Sequence, residues 1–137
     1  IKKEVIKKAI IPFINLHISY LPWNRGAHPN FWSFFESTPT GVSIHLIDGG
    51  IDTGPIIVQK KVKLDPANMN FKETHSILID EIERLFLTNI DQIINKTFKI
   101  KPQKGEGSYH KKSDLPSSFR GWEKNIKNEI NRLHQKT

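Results

Sequence analysis

Residues 42–47 and 56–64 each alternate apolar with polar side chains, and the glycine-rich stretch Asp48-Gly49-Gly50-Ile51-Asp52-Thr53-Gly54-Pro55 separates them. In the first run Val42, Ile44 and Leu46 share one side, with Ser43 and His45 on the other. In the second, Ile56, Val58, Val62 and Leu64 oppose Gln59, Lys61 and Lys63. A period of two residues is the signature of a strand, and a polar side means a sheet with one wet face. Asp48-Gly49-Gly50 reads as a turn or loop, so the chain must fold around a sheet.

The flanking segments supply helices. Val5, Ile6, Ala9 and Ile10 have helical spacing, so residues 1–11 are expected to end a helix that Pro12 stops. Residues 13–18 read as a short buried strand with Asn15 and His17 on one side. Leu21-Pro22-Trp23-Asn24-Arg25-Gly26 reads as a loop, and Pro29 opens a short helix carrying Phe31, Trp32, Phe34 and Phe35. Asn70-Phe71-Lys72-Glu73 has the form of a capping box. It starts a long helix whose apolar stripe is Leu78, Ile82, Leu85, Ile90 and Ile93. Gly105-Glu106-Gly107-Ser108 is a loop, and residues 121–137 are expected to be helical with Trp122, Ile126, Ile130 and Leu133 on one face. Together these make a mixed α/β domain.

At 137 residues, with 36% hydrophobic and 26% charged residues, the chain suits one globular domain. It has no apolar run long enough to span a bilayer. The absence of cysteine excludes disulfides, thiolate nucleophiles and thiolate zinc sites, and agrees with a cytoplasmic location. A net charge of +7 comes from lysines near the start, at Lys60, Lys61 and Lys63, and between residues 96 and 112. Such clusters attract phosphate but equally serve solubility, and charge alone identifies no partner.

Chemistry concentrates in two places. Asn15 and His17 point from one side of a strand end into the crevice where α/β sheets place ligands. An asparagine N–H stabilises a developing oxyanion, and a histidine donates to it or shuttles a proton. Asp52 follows about one small βαβ unit later, where its carboxylate would orient His17 and raise its pKa. As a competing reading, Asp52 is an ordinary turn aspartate, and Asp48 is an equal candidate for the catalytic carboxylate. His17, His45, Asp48 and Asp52 lack the tight spacing of a metal site, and Ser19 lacks the context of a serine nucleophile. His28, His75, His110 and His134 belong to no constellation and read as surface or loop residues. Trp23 and the aromatics of residues 31–35 read mainly as core, with Trp23 the one expected to be exposed.

The stretches Asn15-Leu16-His17-Ile18-Ser19-Tyr20-Leu21-Pro22, Arg25-Gly26, Thr40-Gly41-Val42-Ser43-Ile44-His45 and residues 48–57 resemble the formyltransferases that use 10-formyltetrahydrofolate. The likeness covers residues 1–65 closely and the following helix more loosely. Residues 21–27, Pro29-Asn30-Phe31-Trp32-Ser33 and Tyr109-His110-Lys111-Lys112 are most similar to the branch that formylates nucleotide-linked amino-dideoxy sugars for surface polysaccharide. The resemblance implies a Rossmann-like mixed sheet flanked by helices, lacking the N-terminal βα half. Residues 1–100 would be the catalytic core and 101–137 a C-terminal extension. It also implies Asn15, His17 and Asp52 as the catalytic triad, with Asp52 rather than Asp48 in the aspartate position. Ser19, Leu21, Pro22, Arg25, Gly26 and Asp48 would contact the folate. The implied partners are the folate co-substrate, a nucleotide-linked amino sugar and a second copy in a homodimer, without nucleic acid, membrane or metal.

Within the superfamily the rivals are methionyl-tRNA formyltransferase, which carries an additional β-barrel domain, and glycinamide ribonucleotide formyltransferase. Outside it, the rival is an inactive remnant or binding module with the same fold.

Overall fold

The computed structural model describes residues 1–8 and 12–136. Helix α1 spans Lys3–Lys8 and strand β1 Ile14–His17. The expected helical positions Ala9 and Ile10 lie outside the described residues. A two-residue strand β2 (Arg25–Gly26) and helix α2 (Pro29–Phe35) precede strands β3 (Gly41–Leu46) and β4 (Ile56–Lys61). Helices α3 (Phe71–Thr88) and α4 (Ile90–Ile94), strand β5 (Tyr109–His110), a short 3-10 turn (Lys112–Asp114) and helix α5 (Ile126–Gln135) complete the chain.

The main sheet has three strands in the order β1-β3-β4, and both pairings are antiparallel. The βαβ spacing expected between Asn15 and Asp52 is therefore not a parallel crossover. The chain passes through β2 and α2 and returns alongside β1 in the opposite direction. Asn15 pairs with His45 and His17 with Ser43, so these four side chains share one face. On the other face Val42 and Ile44 are fully buried with Val62 against Leu78 and Ile82 of α3. One face thus makes a core and the other a site.

A register shift between Ile44 and His45 interrupts the β3–β4 ladder. Such a bulge bends a strand and re-aims side chains near it. The link between β3 and β4 is tight because a Cβ at Gly54 would collide with the Leu46 carbonyl oxygen. Only glycine lets the two strands approach this closely.

Helix α3 begins as its sequence requires. The Asn70 side chain accepts from the Glu73 N–H at 2.8 Å, and Glu73 accepts from the Asn70 N–H at 3.2 Å. It stops at Thr88, and Asn89 separates it from α4, so the expected single stripe is shared by two helices. Only Leu78 and Ile82 of that stripe are fully buried.

A second core joins α2, the start of α3 and the C-terminal helix. Phe31, Trp32, Phe71, Ile126, Ile130 and Leu133 form it, and Phe34, Phe35, Phe119 and Trp122 pack around them. Trp23 is half-buried. The expected C-terminal helix starts at Ile126, later than the pattern suggested, but Ile126, Ile130 and Leu133 are its buried face and Trp122 still joins the core. Buried Glu129 is held by the Arg132 guanidinium at 2.7 and 2.8 Å and by the Arg120 N–H at 2.7 Å. His110, expected at the surface, is half-buried and stacks on Trp32 at 3.6 Å between ring centres, whereas His134 is exposed as expected and lies over Phe35 at 4.3 Å.

Phe71 is fully buried and touches Phe31, Phe34, Phe119 and Trp122. Replacing it with alanine should cost about 3–5 kcal/mol in urea unfolding. A loss below about 1 kcal/mol, the size of an ordinary substitution, would show that this cluster does not tie the C-terminal helix to the fold.

Candidate active site

Asp52 is placed by an unusual backbone. Its φ of 56° lies in the left-handed region, uncommon for a residue with a side chain. From there its carboxylate turns back over the polar face of the sheet. Oδ1 accepts the Asn15 amide at 3.0 Å, and Oδ2 accepts the Gly26 N–H at 2.9 Å. Gly26 has φ 86°, and a Cβ on it would strike the His110 carbonyl oxygen, so the β2–β5 pairing itself requires glycine here.

Two imidazoles flank this carboxylate. His17 Nδ1 lies 3.7 Å from Oδ2, and His45 Nε2 lies 3.3 Å from Oδ1. His17 Nε2 is 2.8 Å from the Asn24 carbonyl, which can only accept, so that nitrogen carries the proton. Nδ1 of neutral His17 is then a bare lone pair facing Asp52. The Leu46 carbonyl, 2.9 Å from His45 Nδ1, likewise places a proton there, so His45 Nε2 donates to Asp52 when the ring carries both protons. The second N–H of Asn15 has only a long contact, 3.3 Å to His45 Nε2.

Burial lowers the His17 pKa below 6.5, although Asp52 and the Asn24 carbonyl act to raise it. The expectation that Asp52 would raise it overall is therefore corrected: the cost of charging a buried ring exceeds the attraction of the carboxylate. For Asp52, burial acts upward, but the hydrogen bond with His45, the charge His17 can carry and the Gly26 N–H outweigh it. Its pKa falls to about 2. The site therefore holds an ionised acid beside a neutral base.

Asn15, His17 and Asp52 are thus brought together. Asp48 is not part of the group: it accepts from the Gly50 N–H at 2.9 Å and the Thr53 hydroxyl at 2.6 Å and closes its own turn. The other singled-out residues hold neighbouring loop segments. Ser19 donates to the Trp23 carbonyl at 2.7 Å, and Arg25 grips Gln103 Oε1 at 2.7 and 3.0 Å. Leu21 and Pro22 are buried, and Gly26 acts through its backbone. Among the described residues, no three His, Asp or Glu side chains are grouped as metal ligands.

Sequence reasoning missed two contributors. His45 was placed on the correct side of β3 by alternation, but no pattern announced that the β3–β4 link would bring Asp52 against it. Gln103 carried no local signal at all. Its Nε2 donates to the Asp52 and Gly54 carbonyls at 2.8 and 2.9 Å from a distant part of the chain.

With this geometry in view, residues 1–87 match the family described as formyl transferase. The structure resembles that of the formyltransferase PseJ from Anoxybacillus kamchatkensis in complex with UDP-4,6-dideoxy-4-formamido-L-AltNAc and tetrahydrofolate. The TM-score is 0.87 and the identity 40%, covering 96% of this chain and 71% of that one. The sequence is 34% identical to a methionyl-tRNA formyltransferase of Thermodesulfovibrio yellowstonii over 78% of this chain and 35% of the relative. It is 31% identical to a dTDP-4-amino-4,6-dideoxyglucose formyltransferase of Mycobacterium bovis over 74% of this chain and 43% of the relative. The chain thus spans less than half the length of these two relatives.

The shifts fix the pH behaviour. Asp52 has a folded pKa of about 2, below its ordinary 3.8, so its stabilising contribution is present above that ordinary value and lost as pH falls toward the folded one. His17 is likewise depressed from 6.5, so the stability it contributes above 6.5 is lost as pH drops below that value. NMR titration should place the His17 midpoint below 6.5, and lower still in Asp52→Asn, where burial acts with less opposition. A midpoint that rises in the variant would show that Asp52 does not favour the His17 cation.

Proposed function

The chain belongs to the formyl transferase family, and on that footing we propose that it moves a formyl group from 10-formyltetrahydrofolate to the amino group of a nucleotide-linked amino-dideoxy sugar. One observation carries the reaction type. A single carboxylate gathers an amide at 3.0 Å and faces a neutral imidazole lone pair at 3.7 Å. Attack on a carbonyl needs a donor for the oxygen and an acceptor for the nucleophile's proton, and this site holds both. The acceptor class draws support from PseJ and from the dTDP-amino-sugar relative.

When bound, 10-formyltetrahydrofolate supplies the electrophilic formyl carbon and a nitrogen leaving group. Asn15 offers its loosely held second N–H to the formyl oxygen as negative charge collects there. His17 Nδ1 receives the proton that the attacking amine must shed, and ionised Asp52 stabilises the resulting imidazolium. His17 then yields that proton to the departing nitrogen, so the site ends as it began. Leu21 and Pro22, both buried, act for the folate by shaping the loop from within, and Gly26 acts through its backbone. Ser19, Arg25 and Asp48 contribute by fixing loop shape, through the Ser19 hydroxyl, Arg25 Nε and Nη2, and Asp48 Oδ1. This reading places the enzyme in the cytoplasm, as part of a homodimer.

The test is formyl transfer by the full-length protein to UDP- and dTDP-linked 4-amino-4,6-dideoxy sugars, with methionyl-tRNA as the competing acceptor. Transfer to the sugars is expected. Transfer to methionyl-tRNA alone would overturn the acceptor class. His17→Ala and Asp52→Asn should each lower kcat by about 10²-fold or more. Losses of only a few-fold in both would remove these residues from the chemistry.

A further inference from the structure

We propose that Gln103 is a positioning residue for this reaction: its carboxamide locks the Asp52 loop and the Arg25-Gly26 segment in the arrangement that sets the carboxylate between Asn15 and His17. The inference rests on the role proposed for Asp52.

A carboxamide has two N–H groups and two acceptor lone pairs. Gln103 uses all four. Its Nε2 donates to the Asp52 carbonyl at 2.8 Å and the Gly54 carbonyl at 2.9 Å. Its Oε1 accepts from Arg25 Nε at 3.0 Å and Nη2 at 2.7 Å. The orientation of the amide is unambiguous, because guanidinium only donates and backbone carbonyls only accept.

These contacts fall where they matter. Asp52 occupies the left-handed region at φ 56°, a conformation that persists only where the surroundings enforce it. The tip of its loop is exposed, with Ile51 57% accessible, so packing does little to enforce it. On the opposite side, Arg25 immediately precedes Gly26, whose N–H holds the Asp52 carboxylate at 2.9 Å. Gln103 therefore closes a ring: backbone of residues 52–54, Gln103, Arg25, Gly26, and back to the carboxylate of Asp52.

Gln103 is itself anchored on both sides. Lys101 exchanges two backbone hydrogen bonds with Ile56, at 2.8 and 3.0 Å. Beyond it, Arg25 N–H donates to the Ser108 carbonyl at 2.9 Å, and β5 pairs with β2. Its side chain has no uncommitted polar atom to offer a substrate. It acts through Asp52.

The test compares Gln103→Ala and Gln103→Glu in the full-length protein, each in the parent and in an Asp52→Asn background. Gln103→Ala should lower kcat about tenfold with KM for the folate and the sugar nucleotide changed less than about twofold, as expected when a catalytic group is misplaced. In the Asp52→Asn background it should have no further effect, because the two residues act as a unit. Gln103→Glu keeps the Arg25 pairing but turns an acceptor oxygen on two carbonyls, and it should fall at least as far as the alanine variant. Independently of turnover, hydrogen exchange at the Gly26 amide should accelerate about tenfold in Gln103→Ala while amides of α3 keep their protection. Equal losses in both backgrounds, parent-like activity of Gln103→Glu, or unchanged Gly26 exchange would each overturn the proposal. A parent without formyl transfer would defeat the proposed reaction, and the Gly26 exchange would then decide the Gln103 inference alone.

Discussion

The carboxylate of Asp52 is the interaction on which the rest of the site depends. It draws an amide from β1, a backbone N–H from β2 and an imidazole from β3 onto one group. Each would be costly to leave unpaired when partly buried, and so would the carboxylate itself. Their mutual satisfaction ties three separate segments together. The low pKa of Asp52 expresses the same fact: the ionised form is what the surroundings are built to hold.

Burial and charge act in opposite directions on the two principal titrating groups. For Asp52, donors overcome the cost of burial. For His17, burial overcomes the attraction of Asp52 and leaves the ring neutral. A base that is uncharged at rest, yet has a carboxylate beside it once protonated, suits a reaction in which a proton is borrowed and returned. The hydrogen bond to the Asn24 carbonyl decides which ring nitrogen does this.

The scaffold keeps these groups apart from the packing that stabilises them. Sheet pleating sends Val42 and Ile44 into the core under α3 and Asn15, His17, Ser43 and His45 to the other side. The second core lies away from the triad and binds α2 to the C-terminal helix. Residues 101–110 connect the two regions, and Gln103 lies in that connection. The C-terminal part of the chain thus supports the site through backbone pairing and one amide.

Local pattern determined the three strands of the main sheet, the capping box at Asn70, the shared face of Asn15 and His17, and the glycine-rich bend that carries Asp52, but not the short β2–β5 pair. These depend on neighbours a few residues away, where periodicity and turn chemistry are decisive. The resemblance in residues 15–57 then separated Asp52 from Asp48, which pattern alone had left equal. Tertiary structure decided that the strands run antiparallel, that Asp48 serves its own turn, that His17 is neutral, and that His45 and Gln103 meet Asp52. Those outcomes depend on desolvation and on contacts between residues far apart in sequence, and no local pattern encodes either. Gln103 lies 51 residues from the carbonyl it holds, and only the folded chain makes them neighbours.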